Sequence, residues 1–253
     1  MQLNFQTYGT GFPLIVLHGM FGSLDNWQPI SRKLGESFQV FALDLRNHGR
    51  SPHSDAISYP LMAEDLREFM AAHNLSRAHV MGHSMGGKTA MQFALLHPEQ
   101  VEKLVVVDIA PKAYPPWNMP IIEALLALDL RSFGHRPEIE AALAPAIPSL
   151  TLRQFLLKSL TRDESGAFVW KINLDALQRN YPLLNQRIGD GQTFAGPVLF
   201  IRGGRSEYIE ETDRALIEAQ FPHAEMTTIA GAGHWVHAEA PDEFVRIVKD
   251  FLR

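Results

Sequence analysis

Ser84 stands in Gly82-His83-Ser84-Met85-Gly86, with the apolar run His79 to Met81 before it and helical spacing from Gly87 to Leu96 after it, closed by Pro98. Strand, sharp turn and helix in that order hold a serine on a strained turn with its hydroxyl exposed above a sheet, and the flanking glycines let the two elements approach. Ser84 is therefore the candidate nucleophile. A serine hydroxyl needs a base, a group that orients the base, and donors for the oxyanion it creates. Three further stretches carry such residue types. His18-Gly19-Met20-Phe21-Gly22-Ser23 follows the apolar run Pro13 to Leu17, and a glycine-rich turn there can aim backbone N–H groups into a cleft. Met20 is the expected donor, Phe21 the alternative, and a plain tight turn the competing reading. Leu104 to Val107 delivers Asp108, and Ala230-Gly231-Ala232-Gly233-His234-Trp235 brings a histidine to the end of the strand expected over Ala224 to Ile229.

The loop Asp44-Leu45-Arg46-Asn47-His48-Gly49-Arg50-Ser51 also gathers Asp, Arg and His, but reads as structural, its charges satisfying each other and the loop backbone. His48 and His53 lack the further ligands a metal site needs. His83 and His237 are expected to pack or to satisfy loops.

The elements around these residues alternate. Apolar runs at Pro13 to Leu17, Phe38 to Leu43, His79 to Met81, Leu104 to Val107 and Pro197 to Ile201 are separated by helical spacing at Asp25 to Leu34, Tyr59 to His73 and Gly87 to Leu96. Leu3 to Thr7 reads as an edge strand, Glu210 to Gln220 as a helix, and Pro241 opens a terminal amphipathic helix through Phe244, Ile247, Val248 and Phe251. Repetition of this kind means an α/β fold, a mostly parallel sheet with helices on both faces, whose ligand chemistry gathers at the carboxyl ends of the strands. Met20, Ser84 and Asp108 all fall there.

Composition shifts in the middle third. Seven of the 16 prolines lie between Pro111 and Pro148, and only Gly134 and Gly166 occur between Lys88 and Ile188. Helical spacing at Ile121 to Leu130, Glu138 to Ala144, Thr151 to Leu160 and Asn173 to Tyr181 predicts an inserted helical cap over residues 112–187, on a core formed by 1–111 and 188–253. Thr151 with Gln154 fits a capping box. Trp117, Met119, Phe168 and Trp170 are candidate pocket residues, weighed against ordinary cap core.

The whole chain has 253 residues, 46% hydrophobic and 20% charged, with a net charge of -5 and no long basic run, which argues against nucleic acid as a partner. No apolar stretch approaches the roughly 18 residues of a membrane span, and the start lacks the regions of a signal peptide, so a cytoplasmic location is expected. Without cysteine there is no disulfide or thiolate site. The sequence carries no signal for an oligomeric state.

HGMFGSLDNW, DLRNHGRS, GHSMGGK, VVDIAP and GAGHWVHAE, in this order, resemble the motifs of the alpha/beta-hydrolase superfamily, and specifically of its small bacterial carboxylesterases. The resemblance covers nearly the whole chain. It implies Ser84 as nucleophile, His234 as base, and the backbone N–H groups of Met20 and Met85 as the oxyanion hole. Phe21 and Trp235, beside these groups, join the candidate pocket residues. Most of the superfamily keeps its acid in the loop after the strand that here is Val198 to Ile201, where this chain has Arg205-Ser206. Some members carry it one strand earlier, and Asp108 occupies that place; Asp108 is the expected acid, with Glu207 the second candidate. The implied reaction is hydrolysis of small to medium acyl esters through an acyl-enzyme, with a small-molecule ester as the partner and no cofactor or metal. Carbon-carbon hydrolases or lyases and thioesterases share the triad, and a ligand-binding homologue without activity is the reading from another class. Epoxide hydrolases and haloalkane dehalogenases carry aspartate where Ser84 stands.

Overall fold

The computed structural model describes residues 1–189 and 191–253. The apolar runs form β2 (Pro13–Leu17), β3 (Gln39–Leu43), β4 (Ala78–His83), β5 (Val101–Val107) and β8 (Val198–Gly203), joined by β1 (Phe5–Tyr8) and β9 (Ala224–Ile229) into one sheet of order β1-β3-β2-β4-β5-β8-β9. All neighbours run parallel except β1, which pairs antiparallel with β3 at the edge. Helices cover both faces: α1 (Gln28–Leu34) and α10 (Pro241–Leu252) on one, α2 (Tyr59–Ala72) and α3 (Met85–Leu96) on the other.

Strand alternation explains how one run feeds two cores. Leu14, Val16, Val105 and Val107 pack with Trp27, Ile30, Phe244 and Val248 on the first face. Ile15, Leu17, Leu104 and Val106 pack with Leu66, Met70, Ala90 and Phe93 on the second. Each such side chain contributes about 1.5–3 kcal/mol by leaving water, so central strands must be apolar throughout.

Register then fixes what meets at the carboxyl edge. Leu17 pairs with Gly82, His83 with Val107, and Val107 with Ile201, so the residues just past β2, β4, β5 and β8 emerge side by side.

Between β5 and β8 the chain leaves the sheet and forms α4 (Met119–Leu126), α5 (Arg136–Leu143), α6 (Leu150–Leu157), a two-stranded hairpin β6 (Leu160–Arg162) and β7 (Phe168–Trp170), and α7 (Leu174–Leu184). Its apolar residues are continuous with the second face's core, through Ile122, Leu125, Leu177 and Tyr181. Two expectations are corrected here. The cap of α6 is Ser149, whose hydroxyl accepts the Leu152 N–H, and not Thr151. The helix expected to reach Leu160 stops at Leu157, and the hairpin follows, turned by Gly166 at φ 83° and closed by the Gly166 N–H to the Asp163 carbonyl. α8 (Arg214–Gln220) precedes β9, and a short helix α9 (Val236–Glu239) links β9 to α10. Among the described residues no helix is long and apolar enough to cross a membrane.

Candidate active site

Ser84 sits at φ 52°, ψ −117°, between β4 and α3. A non-glycine residue in such a conformation costs on the order of 1–3 kcal/mol and persists only where its surroundings over-determine it. The constraints are visible: its N–H donates to the Val107 carbonyl at 3.0 Å, and its carbonyl accepts the Lys88 N–H at 3.0 Å. A Cβ on Gly82 would lie 2.1 Å from the Gly86 carbonyl oxygen, and one on Gly86 would lie 2.5 Å from that of His18. Neither position tolerates a side chain, which is why both glycines flank the serine.

Met85 is the first residue of α3, so its N–H lies at the positive end of the helix with no intrahelical acceptor. Met20 follows β2 in a turn closed by the Gly22 N–H to the Gly19 carbonyl. Neither the Met20 nor the Met85 N–H has an acceptor among the described residues. Phe21, the alternative donor, is buried at φ 64° and lines the cavity beside them.

Asp108 follows β5 directly and is fully buried, at φ 50°. His234 Nδ1–H donates to its Oδ2 at 2.8 Å. The same carboxylate accepts the Gly203 N–H on Oδ1 at 2.8 Å and the Ser206 hydroxyl on Oδ2. With Nδ1 committed to the carboxylate, Nε2 carries the lone pair, as a base requires. The ring is held further by stacking on Tyr208, centroids 3.8 Å apart at 16°, and the His234 carbonyl accepts the His83 Nε2–H at 2.8 Å. Glu207, the second candidate acid, is exposed on the loop after β8 and has no hydrogen bond to His234 among the described residues.

His234 and Ser84 line one cavity of about 230 Å³. No hydrogen bond joins the Ser84 hydroxyl to His234 among the described residues. Trp27, Ile121, Leu152, Phe155 and Trp235 give the same cavity much apolar lining. A second cavity of about 30 Å³ opens from the same serine between Lys88, Tyr59, Tyr114 and Tyr181. Lys88 is buried, and burial pushes its ammonium down to about 7.

Neighbouring histidines are neutral. Burial holds His83 well below the usual range and takes His237 down to about 3, with His234 and, for His83, His237 adding to the effect. His237 stacks on Trp27 at 4.2 Å, so both histidines expected to pack do so while also bordering the cavity. The Asp44 loop is structural in detail. Asp44 accepts N–H groups of Leu24, Arg50 and the Asn4 side chain at 2.7–2.9 Å, and Arg46 makes two bonds to Asp65 at 2.6 and 2.8 Å.

Of the other candidate pocket residues, Trp235 lines the larger cavity and Trp117 the smaller. Met119, Phe168 and Trp170 line neither: Phe168 is buried in the hairpin and the other two pack against the core. Phe155, Tyr114, Tyr208 and Lys88 were missed, although Lys88, four residues after the serine, could have been found by asking what a lysine does on an otherwise buried helix.

A family model for the alpha/beta hydrolase fold matches residues 13–165. A marine microorganism esterase of known structure superposes with a TM-score of 0.96 at 45% identity, covering 99% of each chain. Esterase YbfF of Escherichia coli is 38% identical over 260 residues, spanning 100% of this chain and 99% of that one. An sn-1-specific diacylglycerol lipase of Xenopus laevis is 39% identical over 251 residues, 96% of this chain and 80% of that one.

Proposed function

The chain belongs to the alpha/beta-hydrolase family, and on that premise we propose that it is a serine carboxylesterase with Ser84 as nucleophile, His234 as base and Asp108 as orienting acid. The observation that carries this is the His234 Nδ1–H bonded to buried Asp108, with the opposite ring nitrogen free and its ring lining the cavity that Ser84 also borders. The Ser84 hydroxyl attacks the ester carbonyl while His234 Nε2 takes its proton. Asp108 fixes the tautomer and stabilises the imidazolium. The tetrahedral oxyanion is received by the Met20 and Met85 N–H groups, each such donor being worth about 3 kcal/mol in comparable sites. His234 returns the proton to the leaving alcohol, and a water repeats the cycle on the acyl-enzyme, freeing the acid. The chemistry requires no metal or organic cofactor. In this reading residues 112–187 are a cap that adds Ile121, Leu152 and Phe155 to the apolar lining of the cavity, and the enzyme works in the cytoplasm, which cell fractionation tests.

The direct experiment is labelling with a fluorophosphonate probe alongside hydrolysis of short p-nitrophenyl esters. The wild type labels and turns over, and Ser84→Ala does neither, losing about 10⁴- to 10⁶-fold in kcat. Labelling that survives Ser84→Ala sinks the assignment. Turnover of thioesters or of dienoic carbon-carbon substrates above that of esters moves the substrate class and leaves the triad in place.

A further inference from the structure

Two lobes meet at Ser84, and different residues border them. His234 borders the wide lobe and not the narrow one, while Lys88 and Met85 border the narrow lobe and not the wide one. A base that hands its proton to the departing alcohol must touch the alcohol's oxygen. The alcohol therefore leaves through the wide, apolar lobe, and the acyl group lies in the narrow one.

The narrow lobe is polar at its end. Lys88 is 1% exposed and makes no ion pair with any carboxylate among the described residues. One of its three N–H groups donates to the Gln186 carbonyl at 2.6 Å, and the ammonium lies 4.9 Å from the Tyr114 ring centre and 5.5 Å from that of Tyr59. The other two N–H groups have no acceptor among the described residues. The lysine also stands in the first turn of α3, the end of a helix where a cation is disfavoured. A buried lysine with no carboxylate partner, in the first turn of a helix and one turn from the nucleophile, is costly to hold in its charged form for the fold alone. Aromatic faces offset part of that cost and leave N–H groups to offer.

We propose that the narrow lobe is an acyl subsite in which Lys88 receives a carboxylate at the far end of a short acyl chain, making monoesters of small dicarboxylic acids the preferred substrates. This rests on the esterase reading above. Water adds across the ester C–O bond, the alcohol departs with the proton from His234, and the dicarboxylate is released. A charge-assisted bond to the acyl carboxylate is short, directional and about twice as strong as a neutral one. Ser84 and Lys88 both border this lobe, and its volume of about 30 Å³ suits a short spacer between the ester carbonyl and the acyl carboxylate.

The test compares monomethyl succinate with its neutral branched isostere, methyl 4-methylpentanoate. The wild type is expected to favour the charged ester at least tenfold in kcat/KM, and Lys88→Met to bring that ratio to about one or below, with Lys88→Arg keeping part of it. Free succinate should inhibit hydrolysis of the neutral ester more strongly than 4-methylpentanoate does, a measurement that needs no variant. Equal wild-type rates on the two esters overturn the proposal while leaving the esterase reading intact. A Lys88→Met loss that is the same for both esters also overturns it and assigns the lysine to clamping the Gln186 carbonyl. Failure of the wild type on every ester sinks the underlying reading instead.

Discussion

The loops at the carboxyl edge of the sheet and the segment that covers them are built on different physics. At the edge, Phe21, Ser84 and Asp108 all hold positive φ, and each reactive group is tied by backbone bonds or by a buried carboxylate. In the covering segment, α4 and α6 present Ile121, Leu152 and Phe155 to the cavity as partly buried side chains packed against the apolar core. Atoms that must be correct to a fraction of an ångström are placed by directional bonds and strained backbone; a surface that only has to exclude water and shape a substrate is placed by volume. The two regions should accordingly respond to mutation in different kinetic parameters.

The largest effect should come from the carboxylate at the edge. Asp108→Asn is expected to lose about 10³- to 10⁴-fold in kcat, because an amide presents its N–H to Nδ1 and favours the wrong tautomer. Glu207→Gln, on the adjoining exposed loop, is expected to stay within about twofold. Steady-state kinetics on one short ester checks both, and a reversal of the two results would hand the acid's role to Glu207. In the covering segment, Phe155→Ala is expected to raise KM by about three- to tenfold, with a smaller fall in kcat, because it removes contact made equally in ground and transition states. A loss confined to kcat would break the contrast between the regions.

The smallest effect is on stability, away from the site. His79 is buried on β4 beside Phe12 and Phe38, and burial takes it down to about 4. An unfolded chain protonates histidine near 6.5, so between about 6.5 and 4 the unfolded state binds more protons than the native one. Stability is then full above 6.5 and falls as the pH drops through that window. Thermal melts should show it, and His79→Leu should flatten the slope. Equal slopes for wild type and variant would count against the assignment.

What could be read in the chain follows the same division. Gly82 and Gly86 mark the elbow because no Cβ fits at either, and such a constraint leaves a glycine in the text. Asp108 was legible because a buried strand ends in it, and the strands themselves because burial on both faces removes polar residues from them. Lys88, Tyr114, Tyr181 and Tyr208 converge from four segments with no shared spacing, so no local pattern announces the narrow lobe. The cap hairpin was missed for a local reason. Its two strands are three residues each, too brief for alternation to announce them in the stretch between the helical spacings that end at Leu160 and resume at Asn173.

Asp108 directly follows β5, yet two of the three partners of its carboxylate, Gly203 and Ser206, come from the end of β8 and the loop beyond it. The superfamily resemblance places the acid of most members on that loop, reaching toward the imidazole with a carboxylate of its own. The negative charge thus has a fixed station in space and a movable address in the polypeptide. A lineage can shift it from one strand to the next without the histidine ever losing its anchor, provided the vacated loop keeps a hydroxyl and an amide to greet it.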